Sequence, residues 1–108
     1  MLMELKRKKG VFMPGYIIAK VNVTDMDKYK EYLKVTPGTI AKFGGKFLVR
    51  GGDIATLEGE AINDRLVVLE FPSIDKAKEW YHSQDYQDAR KIRKGAAIAS
   101  FYAIDGVK

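Results

Sequence analysis

The sequence predicts an α+β domain of element order β-α-β-β-α-β, and three observations carry that prediction. Alternating apolar residues mark four strands, and helical spacing marks the segments after the first and the third. Glycine or proline stands at most of the boundaries between them. The 108 residues amount to one domain of chain.

Tyr16–Val23 (YIIAKVNV) alternates, with Ile17, Ala19, Val21 and Val23 on one side, and reads as the first strand. Thr24 or Asp25 then offers a helix cap. Met26, Tyr29, Leu33, Ile40 and Phe43 follow at helical spacing, with Pro37 expected to kink or break the helix partway. Gly44-Gly45 ends it, because glycine accepts the left-handed conformation of a helix terminus. Lys46–Arg50 (KFLVR) is a short strand running into Gly51-Gly52. Asp53–Asp64 is the least regular stretch, expected to continue as a bulged strand through Leu57 and to turn at Gly59. Arg65–Phe71 (RLVVLEF) is the clearest strand, stopped by Pro72. Ser73 caps a helix with Ile74, Ala77, Trp80 and Tyr81 inward. A second helical piece over Asp85–Lys94 turns Tyr86, Ala89 and Ile92 inward, and Gly95 ends it. Ile98–Ile104 (IASFYAI) is the last strand. Right-handed crossovers place these four strands in the ferredoxin-like order 4-1-3-2, all neighbours antiparallel.

Sorting strand residues by parity separates two sheet faces. Ile17, Ala19, Val21, Val23, Phe47, Val49, Val67, Leu69, Phe71, Ala99, Phe101 and Ala103 share the first, which is wholly apolar and carries the helices. Tyr16, Ile18, Lys20, Leu48, Arg50, Leu66, Val68, Glu70, Ser100, Tyr102 and Ile104 share the second. Ile18, Leu48, Leu66, Val68 and Ile104 there would expose an apolar patch of several hundred Å², unusual on a monomer. The chain has no residues left to cover it, so a second copy is the economical cover. Two such sheets face to face close into a barrel whose cavity is apolar with a few polar groups, the recipe for a small-molecule pocket.

Composition narrows the function classes. Without cysteine there is no disulfide framework and no thiolate metal site. No apolar run approaches the ~20 residues of a membrane span, and MLMELKRKKGVFM lacks the apolar stretch of a signal peptide. The expectation is a cytoplasmic protein with neither membrane nor nucleic acid as partner. Of the net charge of +5, residues 1–13 contribute +3 through Lys6, Arg7, Lys8 and Lys9 against Glu4. The remainder, at +2, mixes signs like an ordinary solvated surface. Residues 1–13 form a basic extension, and residues 14–106 form the domain. Residues 1–12 are expected to be dispensable for folding. Lys8-Lys9-Gly10-Val11 is compatible with a purine-rich ribosome-binding sequence just before the Met13 codon, as an upstream start chosen in error would leave.

Glu70 is the sharpest candidate for chemistry. Its parity puts a carboxylate on the cavity face between Leu69 and Phe71, where desolvation would raise its pKa and suit it as a general base. The alternative is a structural ion pair with Arg50, Arg65 or Lys20, or exposure at the barrel mouth. Arg50, followed by two glycines, would present a guanidinium to an anionic ligand, or else simply ends its strand. Tyr16, Lys20, Ser100 and Tyr102 are the polar groups expected to touch a substrate, although aromatics are equally at home in a dimer interface. Tyr29, Tyr32, Tyr81 and Tyr86 are expected to be half-buried packing residues. His82 is the sole histidine and, without metal-ligand spacing, reads as a surface helix residue. GGKFLVRGG opens no helix and is no phosphate loop. Neither a metal nor a cofactor is expected.

The blocks GYIIAKVNVTDMDKYKEY, FGGKFLVRGG, LEG and RLVVLEFPSIDKAKEWYHSQDYQDARKIRKGAA resemble the domain-of-unknown-function family 1330, over Pro14 to about Gly106. The FGG-x-F-x-x-RGG and EFPS-x-x-x-A-x-x-W-Y-x-S-x-x-Y blocks are the distinctive ones. The resemblance implies a dimeric α/β-barrel, in the company of small monooxygenases, muconolactone isomerases and chlorite dismutase-like proteins. The family has no agreed reaction, so no catalytic role is carried over, only positions that fit its pattern, among them Tyr29, Arg50, Glu58, Glu70 and Arg93. Two functions follow as expectations. One is a cofactor-independent enzyme for proton transfer or oxygenation, using Glu70 and Arg50. The other is a non-catalytic homodimer that binds a small ligand or only itself.

Overall fold

In a computed structural model, residues 13–107 are described; the expectations for residues 1–12 lie outside them. The chain runs β1 (Gly15–Val23), α1 (Met26–Lys42), β2 (Lys46–Arg50), β3 (Arg65–Phe71), α2 (Ile74–His82), α3 (Gln84–Arg93) and β4 (Ala97–Asp105). The strands form one sheet of order β2-β3-β1-β4, with every neighbouring pair antiparallel. This is the ferredoxin-like arrangement expected from the sequence.

The helix boundaries follow from capping chemistry. Asp25, in extended backbone, accepts from the Lys28 amide at 3.1 Å and starts α1. Ser73 does the same for α2 through Lys76 N, and Ser83 for α3 through Tyr86 N. At the far end of α1 the Gly45 amide donates to the Ile40 carbonyl and the Gly44 amide to Ala41, with Gly44 at φ +77°. That double bond pattern needs a left-handed residue, which glycine adopts without penalty. Pro37 does not break α1, which continues through it to Lys42. The neighbouring threonines turn inward: Thr36 Oγ1 donates to the Tyr32 carbonyl at 2.7 Å, and Thr39 Oγ1 to that of Thr36 at 2.8 Å. These bonds satisfy the two hydroxyls inside the helix; the carbonyl whose usual donor Pro37 removes is that of Leu33.

All three helices lie on one side of the sheet. The core between them holds Ile17, Ala19, Val21, Leu69 and Phe71 from the strands, and Tyr29, Tyr32, Ile40, Ala77, Trp80, Tyr86 and Ala89 from the helices. Trp80 is its centre, fully buried, with its ring 4.2 Å from that of Tyr86 and 5.5 Å from that of Phe71. Tyr29, Tyr32 and Tyr86 prove fully rather than half buried; Tyr81 is half-buried as expected. β1 crosses directly under the start of α2. A Cβ on Gly15 would overlap the backbone of Ser73 and Ile74. Gly15→Ala should therefore lower stability by about 1–3 kcal/mol, the usual range for a clash that neighbours cannot relieve; urea unfolding of the variant measures it, and an unchanged midpoint would contradict this packing.

Two expectations fail between Lys46 and Asp64. No strand extends through Leu57; residues 52–63 are an exposed loop that bends at Gly59. The bulge lies earlier, inside β2. Phe47 pairs with Leu69, but Val49 pairs with Val68 and Arg50 with Val67, so Leu48 is an extra residue. An extra residue reverses the parity of everything after it. Val49, expected on the helix face, stands opposite open-face Val68 and is exposed. Arg50, expected on the open face, stands opposite helix-face Val67.

Candidate functional site

Among the described residues no helix lies over the open sheet face, and its strand residues remain accessible. Ile18, Leu48, Val49, Ile98, Tyr102 and Ile104 are all more than a third exposed. Register fixes who meets whom. Tyr16 stands opposite Glu70 on one side and Ile104 on the other; Ile18 lies between Val68 and Tyr102; Lys20 lies between Leu66 and Ser100.

Glu70 is held by two groups. The Tyr16 hydroxyl donates to its Oε2 at 3.3 Å, and Lys46 Nζ lies 3.3 Å from Oε1. The carboxylate side chain is only 19% exposed, whereas that of Lys46 is 68% exposed. Burial raises the Tyr16 phenol above its ordinary pKa, and the hydrogen bond and charge of Glu70 add to the rise. Of the residues expected on this face, the structure brings together Tyr16 and Glu70. Lys20 and Ser100 sit four positions away along the strands, about 13 Å at the ordinary rise, and both are exposed. Arg50 is on the other side of the sheet, its guanidinium carbon 4.2 Å above the Phe47 ring. Lys46 was missed, although pairing β2 with β3 in sequence would have found it opposite Glu70.

Behind the sheet, Arg50 and Arg65 border a cavity of about 30 Å³ under α1, walled by Tyr29, Tyr32, Val67 and Trp80. That is room for about one or two water molecules. Arg65 Nε is buried there without a hydrogen-bond partner. Burial pushes the Tyr29 phenol up, with Arg65 pulling it partly back. Deeper, the Tyr32 and Tyr86 hydroxyls share a hydrogen bond of 2.8 Å, and Trp80 Nε1 donates to Thr39 Oγ1 at 3.0 Å. Burial drives the Tyr86 phenol far above its usual range, and Tyr32 adds to this. Arg93, 8% exposed, sits against the Tyr32 and Phe101 rings. Arg93 fits the family pattern, but its burial was not expected, though it falls seven residues after Tyr86 and four after Ala89, in line with the buried stripe of α3.

His82 is exposed at the end of α2, as expected. Among the described residues no three histidine, aspartate or glutamate side chains converge as a metal site would require. No described helix is long and apolar enough to cross a membrane.

The family profile of DUF1330, described as a domain of unknown function, matches residues 14–107. The chain belongs to DUF1330. Its fold is similar to that of a protein of unknown function from Rhodopseudomonas palustris, at 20% identity and TM-score 0.69, covering 94% of this chain and 88% of that one. SnoaB of Streptomyces nogalater, a cofactor-independent oxygenase, matches at 10% identity and TM-score 0.54 over 91% and 96% of the two chains. A protein of Caulobacter crescentus CB15, provisionally described as an antibiotic biosynthesis monooxygenase, matches at 20% identity and TM-score 0.56 over 90% and 92%. These likenesses establish the ferredoxin-like fold of this DUF1330 chain. No curated protein matches it.

Proposed function

We propose that this DUF1330 protein works as a homodimer joined through its open sheet faces, enclosing a pocket for a small, largely apolar organic molecule. In that pocket Glu70 acts as proton acceptor, held by Tyr16 and Lys46, in a reaction that needs no cofactor. One observation carries the reading: six large side chains, five of them aliphatic, are exposed on the same face as a carboxylate that is itself largely shielded. Within one chain the face is a surface and not a cavity, so the site is complete only when a second copy covers it. SnoaB, an oxygenase of the same fold, is described as cofactor-independent, which supports the reaction class by fold analogy alone. Arg50 has no part in this site, because the bulge carries it to the other side.

The second reading is a ligand-binding or purely structural homodimer, and it is favoured by the engagement of both Glu70 oxygens. Stability separates the two. A pair with so exposed a lysine contributes about 0–1 kcal/mol, so Glu70→Gln should unfold within about 1 kcal/mol of the parent. It should also lose the thermal-shift response that a metabolite library elicits from the parent. If Glu70→Gln and Lys46→Met each cost more than about 2 kcal/mol, and the double variant costs no more, the group is architecture and the catalytic reading falls.

A further inference from the structure

We propose that the cleft between β4 and the α2–α3 corner, on the helix side of the sheet, binds a small organic carboxylate. The cleft has a volume of about 310 Å³, the size of a small-ligand pocket. Lys78 and His82, one turn apart on α2, and Arg90 and Arg93, one turn apart on α3, supply its basic groups, beside the phenols of Tyr81 and Tyr102; Ala99 and Phe101 of β4 supply an apolar floor. No carboxylate lines it.

The charges on these helices are sorted. Glu79 pairs with Lys76 at 3.2 Å, Asp85 with Lys42 at 2.6 Å and Asp88 with Lys91 at 3.8 Å. The acids of α2 and α3 are thus engaged elsewhere, apart from Asp75 in the first turn of α2. Lys78, Arg90 and Arg93 form no salt bridge with any described residue.

Arg93 points most directly to an anion. It is 8% exposed, its Nε is buried without a hydrogen-bond partner, and its guanidinium carbon lies 5.0 Å from the Phe101 ring centre. A cation so buried is strongly unfavourable unless a counter-charge faces it. The groups nearby only soften this. The Tyr86 phenol beside it is neutral, and the carbonyls ending α3 carry partial charges. A carboxylate entering from solvent would supply the missing charge in the paired geometry a guanidinium favours. Phe101 and Ala99 would then cover a hydrocarbon or aromatic body, which a bare inorganic anion lacks. Tyr102 of the open face borders the cleft at the sheet edge, but Lys78, His82, Arg90 and Arg93 all belong to the helices on the other side of the sheet.

The test is a titration of the full-length, ¹⁵N-labelled protein with hexanoate, with hexanamide as a neutral ligand of the same shape, and with inorganic phosphate. Hexanoate should shift amide signals of the last turn of α3 and of β4 saturably at millimolar concentration. Hexanamide and phosphate should bind at least about tenfold more weakly, the factor expected from losing one charge-assisted contact or the apolar one. Lys78→Gln combined with Arg90→Gln, both exposed, should weaken hexanoate about tenfold with unchanged melting, and Arg93→Met should abolish its binding. If Arg93→Met fails to fold, the rim variant decides. The proposal is overturned if hexanoate gives no saturable shift, if hexanamide or phosphate matches it, if the rim variant binds as the parent does, or if the shifts map to residues 16–20 and 66–70 of the open face.

Discussion

Ile18→Glu should convert the proposed dimer, of about twice 12.2 kDa, to a single chain that remains folded. Ile18 lies on an inner strand of the open face, between Val68 and Tyr102, and is 37% exposed. A glutamate there keeps its hydration in the separate chain, because none of the described residues covers it. In a face-to-face pair two such carboxylates would be buried close together, each costing several kcal/mol. Every 1.4 kcal/mol is a factor of ten in dissociation, so the dimer should weaken by at least about a thousandfold. Light scattering at about 10 µM reads the mass directly, and circular dichroism checks that the variant is folded. A parent protein that scatters as one chain would remove the dimer, and the enclosed pocket with it. A variant that stays dimeric would move the interface elsewhere on the surface.

The second large effect belongs to Trp80. Trp80→Ala should destabilise the fold by about 3–5 kcal/mol, the range for truncating a buried tryptophan. Its indole touches the rings of Phe71 and Tyr86, and its N–H is satisfied by Thr39, so truncation leaves both a cavity and an altered polar group. Domains of this kind are stable by about 5–15 kcal/mol in total, so the variant should be partly unfolded at modest urea concentration. Trp80→Phe should cost much less, since it retains most of the packing and forfeits one hydrogen bond worth about 1 kcal/mol. Equal losses in the two variants would assign the stability to the Thr39 bond instead of the ring. A loss below about 1 kcal/mol on truncation to alanine would contradict the central place of Trp80.

Much of this was legible in the sequence, because strand parity and capping chemistry are short-range rules. Antiparallel strands one and three, aligned at their centres, put Glu70 near Tyr16 and Ile18 and Lys20 toward Leu66, and in the structure Glu70 stands opposite Tyr16 and Lys20 opposite Leu66. The bulge was not legible where it occurs. Nothing in KFLVR distinguishes a regular strand from one with an extra residue, because Leu48 and Val49 are both apolar and both suit the open face. That one residue displaced Arg50, and the proposed pairing of Arg50 with Glu70 went with it. Arg93 was hidden for a different reason. A charge in the last turn of a helix ordinarily reads as solvated and suited to the helix dipole, and only its position in the Tyr86–Ala89 stripe betrays the burial.

The bulge at Leu48 also bears on how this protein can change over generations. Deleting the single codon for Leu48 would restore regular pairing in β2 and leave Val49 opposite Val68 on the open face and Arg50 opposite Val67 on the helix side, where each already stands. A relative one residue shorter here should thus keep its arginine against Phe47, whereas one of equal length that pairs without the bulge would turn it to the open face, on the side of Glu70. Relatives should therefore be aligned with the gap at this residue in mind. Two chains with the same arginine after the same strand can carry it on opposite sides of the sheet.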